Sequence, residues 1–209
     1  MRGLLLKDFY IAKSNIIILG ISLIVIGLGL SFLMESSSIL VLSPAIFTTA
    51  VFISITADAS SKWNKFAVTM PVSRQQIISG KYSMFIILTL VGIIIGLIPC
   101  VALSFIRHDV TWQSVALFGL LGMAISFFSG SFSLLLAYVF DPEYSQIVFM
   151  TSFVGASGII TGIVLLINIF FPVKTHMLIA FLIVFIVSMI SLACSYKVAA
   201  NVYTKKDIG

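Results

Sequence analysis

Chemistry by a chain of this size needs a nucleophile with its base, paired carboxylates, or a metal held by clustered ligands. The sequence offers only two histidines, His108 and His176, and two cysteines, Cys100 and Cys194. Neither histidine has a second ligand at helical spacing, and neither HExxH nor GxSxG occurs. Both cysteines lie inside apolar runs without CxxC spacing, so they read as small buried side chains rather than a disulfide or a metal pair. Ser79-Gly80-Lys81-Tyr82 contains the Gly-Lys of a phosphate-binding loop, but Gln75 stands where the earlier glycine is required, and Tyr82 where Ser or Thr must follow. Lys81 therefore reads as a basic anchor at a membrane face. The chain reads as a non-enzyme with no metal site and no cofactor of its own.

The elements that carry these residues are set by composition. Of 209 residues, 60% are hydrophobic and 9% charged, against roughly 25% charged in soluble domains, too little polar surface to coat a water-soluble globule. Six apolar stretches approach or exceed the roughly 20 residues that cross a bilayer: Ile16 to Leu33, Ile39 to Thr56, Tyr82 to Phe105, Ser114 to Phe140, Ile147 to Phe171 and Met177 to Tyr196. None has Asp, Lys or Arg near its middle, where each would cost about 2.5–3.5 kcal/mol. The expected fold class is an all-α integral membrane protein with six transmembrane helices, a single domain over 1–209. A cleaved signal peptide is not expected, since Lys7, Asp8 and Lys13 precede the first long apolar run and no small-residue cleavage site follows.

The net charge of +5 is explained by topology rather than by nucleic acid. Ten of the 12 basic residues, Arg2, Lys7, Lys13, Lys62, Lys65, Arg74, Lys81, Lys197, Lys205 and Lys206, fall on one side of the six spans, and only Arg107 and Lys174 on the other. Basic residues flanking spans are retained on the cytoplasmic side, so both termini and the segment between spans two and three are expected there. The membrane interior is nearly free of ionisable groups, which argues against an ion-coupled pump. Glu35 and Asp58, near span ends, read as solvated groups.

The connection between spans two and three carries the most information. Trp63, Phe66 and Met70 recur at i, i+3 and i+7 with Lys62 and Lys65 beside them, a stripe that suits either a groove on a soluble partner or the lipid interface. Pro71 ends that helix. Ser73 with Gln76 three residues later predicts a capping box, and Val72 with Ile77 the accompanying hydrophobic staple. Elsewhere, Ser43, Thr48, Thr49, Ser54 and Thr56 give the second span a run of hydroxyls, which line a path or bond to their own helix. Gly92-xxx-Gly96 and Gly158-xxx-Gly162 suit close helix contact.

Phe66-x-x-Thr69-x-Pro71-Val72-Ser73-Arg74, followed by Ile77 and Lys81-Tyr82, resembles the cytoplasmic loop of small ABC-2 type transporter permeases, and Met1-Arg2-Gly3-Leu4-Leu5-Leu6-Lys7-Asp8-Phe9 resembles their start. With six spans and inside termini, the resemblance covers essentially the whole chain. It implies an N-in/C-in, type V exporter-like permease fold in a bacterial cytoplasmic membrane. The implied partners are a second permease, as homodimer or heterodimer, and two copies of a separate ATP-binding cassette ATPase that holds the ATP and Mg. It further implies that 57–81 is the coupling segment, with Lys62, Trp63, Lys65, Phe66, Met70, Pro71, Ser73 and Arg74 facing the ATPase. Residues 1–15 would form an interfacial helix with Leu5, Phe9, Ala12 and Ile16 on its apolar face, although an extension of the first span explains the same residues. The resemblance also places Thr48, Thr49, Ser54, Thr56 and Asn168 on a translocation path or dimer interface. Hydroxyl and aliphatic groups there suit export of amphipathic peptides, phenol-soluble modulins among them, or other hydrophobic molecules. A non-transporting membrane anchor is the competing reading.

Overall fold

The computed structural model describes residues 2–30, 35–61, 63, 73–107, 110–139, 145–170 and 176–205. Long uninterrupted runs of Leu, Ile, Val and Phe leave the backbone no solvent partner in lipid, so each run satisfies its own hydrogen bonds as a helix. Among the described residues six long helices result: α1 (Arg2–Leu30), α2 (Ile39–Ser60), α3 (Arg74–Arg107), α4 (Trp112–Val139), α5 (Ser145–Phe170) and α6 (Met177–Lys205), with a short 3-10 turn at Ser36–Ser38 leading into α2. All six are long and apolar enough to cross a membrane.

Several helices run beyond the apolar stretches that define them. The 29 residues of α1 are uninterrupted and span about 43 Å, against a hydrocarbon thickness of roughly 30 Å. Residues 2–15 form the first turns of that helix and continue into the apolar run without a break. The buried stripe of α1 also differs from the expected one: Asp8, Ala12, Gly20 and Leu23 face inward while Phe9 is exposed. The inward place goes to the Asp8 carboxylate, which meets Lys81 of α3 and the Ser54 hydroxyl of α2.

Helices α2 and α4 are the most enclosed of the six spans: α2 packs along α3, α4 and α1, and α4 along α6, α5 and α2. The α2–α3 crossing is set by glycine. A Cβ on Gly92 would come within 2.8 Å of both Pro44 Cα and the Ser43 carbonyl oxygen, and one on Gly96 would press on Ser43 Oγ. On the other side of α2, Gly122 of α4 sits directly against the Leu40 carbonyl, the one that Pro44, lacking an N–H, leaves without its helical donor. Gly130 of α4 lies over the ring of Phe85, which is fully buried. The Gly158-xxx-Gly162 pair, by contrast, has open space before it within the protomer. Cys100 is buried as expected, but Cys194 is exposed, because α6 turns most of its apolar surface outward.

A buried charge ring at one end of the bundle

The start of α1, the end of α2 and the start of α3 meet at the end of the bundle that carries the 61–73 connection. Four charged side chains close a ring there. Lys7 Nζ lies 2.6 Å from Asp58 Oδ1 and 3.3 Å from Asp8 Oδ1, and Lys81 Nζ lies 2.8 Å from Asp8 Oδ1 and 2.6 Å from Asp58 Oδ2. Positive and negative groups alternate, and Lys7 and Lys81 balance Asp8 and Asp58. Ser54 completes the set: its hydroxyl accepts from Lys81 at 2.7 Å and donates to Asp8 Oδ1 at 2.9 Å. The Lys81 ammonium thus has three acceptors for its three hydrogens.

Asp8, Lys81 and Asp58 are 2%, 4% and 6% exposed. Burying one such ion alone costs several kcal/mol, so groups of this kind persist only when paired and hydrogen-bonded. This corrects two expectations. Asp58 is not a solvated boundary residue, and Lys81 is not an anchor in the headgroups. Both sit immediately beside an apolar run in the sequence, where solvation would be the default; opposite charges brought to the same depth by neighbouring helices make pairing possible instead. Asp8 went unrecognised because it stands among residues that look like a polar flank. The one detectable signal is that the first three spans each have a charge near the same face.

The outer member is Lys7, whose side chain keeps 24% exposure. Its ammonium lies 4.3 Å from the centre of the Trp63 ring, a cation–π distance. The expected coupling stripe therefore begins on the charge ring itself. Lys62, Lys65, Phe66, Met70 and Pro71 lie outside the described residues, as does Val72 of the staple.

Where the chain resumes, the capping box forms as its spacing predicts. Ser73 N–H donates to Gln76 Oε1 at 3.1 Å, and Gln76 N–H donates to Ser73 Oγ at 3.2 Å. Arg74, next along, donates from Nη1 to the Tyr203 carbonyl at 3.4 Å, tying the start of α3 to the last turns of α6. Two turns further, Tyr82 follows Lys81 and faces the other way. Ser195 Oγ commits its hydrogen to the Ser131 carbonyl, so the 2.8 Å contact between Tyr82 and Ser195 has the phenol as donor. By the same logic Ser131 donates to the Phe128 carbonyl at 2.7 Å and accepts from Ser191 at 2.9 Å. The first turns of α3 are thereby fastened to α1 and α2 on one side and to α4 and α6 on the other.

The hydroxyls expected along a path behave differently from one another. Thr48, Thr49 and Thr56 donate to carbonyls of their own helix. Thr48 and Ser54 are fully buried inside the protomer, Thr49 and Thr56 are half-buried, and Asn168 of α5 is exposed. His176 is exposed at the start of α6, and His108 lies outside the described residues.

Chemically, the ring is a tie and not a reaction centre: its carboxylates are neutralised by ammonium groups, and among the described residues no cluster of His, Cys, Asp or Glu is arranged to hold a metal. The comparison with known families agrees with a role in transport. A family model for ABC-2 family transporter proteins matches residues 3–204. The chain belongs to that family. It is an ABC-2 type permease, a multi-pass membrane protein whose family works with an ATP-binding cassette subunit. No curated protein and no solved structure matches the permease.

Proposed function

We propose that this permease is the membrane subunit of an ATP-binding cassette exporter. Both termini and the 57–81 segment face the cytoplasm, that segment docks the ATPase, and the ATPase binds and hydrolyses Mg-ATP. The observation that carries the reading is the charge ring. It fixes both flanks of the 61–73 connection, through Asp58 and Lys81, to the N-terminal helix, on the side of the spans to which the sequence pattern assigns ten of the 12 basic residues. A segment meant to receive force from a soluble partner needs rooted ends, and a capped, ion-paired start to α3 supplies them.

Two ATPase copies on a dimer of permeases, homomeric or with a second chain, follow from the same reading. The cargo is an amphipathic peptide, of which phenol-soluble modulins are one class, or another hydrophobic molecule moving outward; the half-buried Thr49 and Thr56 of α2 and the exposed Asn168 of α5, amid aliphatic side chains, suit it.

The test is gentle extraction of tagged permease from its native membrane. An ATPase carrying a phosphate-binding loop should co-purify, hydrolyse ATP, and be released by the Trp63→Ala/Phe66→Ala double substitution. Absence of any ATPase, under conditions that preserve other transport complexes, would instead favour a non-transporting anchor.

A further inference from the structure

Leu4 of α1 lies against Gly80 of α3, and Gly20 of α1 against the Ile95 side chain. The two helices therefore run side by side in the same direction, and Lys13 stands about level with Leu88, nearly two turns inside the apolar run that begins at Tyr82. Lys13 is exposed, whereas Asp8, five residues earlier, faces inward to the ring. At that depth on the outer surface of the bundle, hydrocarbon is a costly place for an ammonium group. Helical side chains lean toward the helix N-terminus and long lysine stems snorkel, which carries the charge back over the turn of Phe9 and Tyr10. Asp8 and Asp58, the described carboxylates at this end, are already taken by Lys7 and Lys81. Among the described residues none is left here to neutralise Lys13.

Beside the same turn lies an apolar groove. Leu5, Leu6 and Phe9 of α1 and Met84, Ile87 and Leu88 of α3 line about 380 Å³, within the range of roughly 300–1,000 Å³ typical of small-ligand sites. Leu6, Phe9 and Ile87 are 58%, 47% and 49% exposed, so the groove opens sideways onto the outer surface of the bundle. Leu6, Phe9, Tyr10, Lys13 and Ile17 recur at i, i+3, i+4, i+7 and i+11, and all five are exposed. One face of α1 thus presents the groove wall, a phenol and the cation together.

We propose that this flank is a binding site for an anionic phospholipid, with one acyl chain in the groove between α1 and α3 and the headgroup phosphate paired with Lys13. The bilayer core holds no water to fill an apolar groove, so a hydrocarbon chain fills it. Selection for net negative charge follows from an unneutralised lysine at headgroup level, and Tyr10 beside it is a residue type that favours that level. The groove faces outward and none of the hydroxyls of α2 lines it, which separates a resident lipid from exported cargo. The site stands independently of the exporter reading.

Phe9→Trp, in a chain with Trp63→Phe and Trp112→Phe, carries its only indole in the groove wall. In vesicles mixing phosphatidylglycerol and phosphatidylcholine, with one or the other brominated, quenching of that indole reports which lipid occupies the site. Phosphatidylglycerol should bind there threefold or more tightly than phosphatidylcholine, and adding Lys13→Gln should bring the two within 1.5-fold. Equal quenching by the two lipids with Lys13 present would mean ordinary solvating lipid and overturn the site. A preference that survives Lys13→Gln would overturn the phosphate–Lys13 pairing. Displacement of brominated lipid by an amphipathic peptide at lower concentration than by plain phosphatidylglycerol would make the groove a cargo site instead. Native mass spectrometry of the unsubstituted permease guards against a tryptophan variant that does not fold. From an equimolar lipid mixture it should retain phosphatidylglycerol over phosphatidylcholine, and Lys13→Gln alone should lose that preference; no preference in the unsubstituted chain would overturn the proposal.

Discussion

Lys81 and Asp58 meet across 2.6 Å in the fold, yet the entire connection between α2 and α3 separates them along the chain. Their pairing is what turns that connection into a closed loop rooted at both ends. Truncating one partner leaves the other buried without its counter-charge, a change that costs about 3–5 kcal/mol. Lys81→Met is therefore expected to reduce folded yield severely and to lower the melting temperature of the purified permease. Lys81→Met combined with Asp8→Asn should recover much of the loss. Thermal unfolding in detergent, followed by size-exclusion profile, checks both.

Glycine use separates the two small-residue pairs. Gly92→Leu drives a side chain into the Ser43–Pro44 backbone of α2 and should destabilise the protomer by about 1–3 kcal/mol through overpacking. Gly158→Leu meets open space within the protomer and should change its stability by less than about 0.5 kcal/mol. Equal sensitivity at the two sites in the same heating assay would contradict the packing described.

The capping box predicts a local effect. Ser73→Ala should cost about 1 kcal/mol, seen as roughly fivefold faster hydrogen exchange at residues 74–77, whereas Ser73→Asp should preserve protection. Uniform acceleration along all of α3 would argue against a local cap.

Tyr82 and Ser195 make a single shared hydrogen bond. Tyr82→Phe should cost about 1 kcal/mol and Ser195→Ala more, since it also loses the bond to the Ser131 carbonyl, and the double variant should cost clearly less than the sum because the Tyr82–Ser195 bond is lost in both. Strict additivity in a double-mutant cycle would show that the contact contributes nothing.

What could be read along the chain depends on how local each signal is. Hydropathy over about 20 residues identifies a span because the bilayer acts as a solvent on each segment separately, and six helices formed where six apolar runs stood. The Ser73–Gln76 cap was equally legible, since both partners lie within one turn and need no other part of the fold. The Lys7–Asp8–Lys81–Asp58 ring was not. Its members sit at span edges where water or headgroups ordinarily solvate charge, and nothing in the neighbourhood of Asp58 indicates that Lys81 will arrive at its side. The sequence alone determined that this is a six-span helical membrane protein with a capped elbow between its second and third spans. Only tertiary packing decided that the charges at one face exclude water and pair with each other, because the sign and depth of a partner charge are properties of the neighbouring helix.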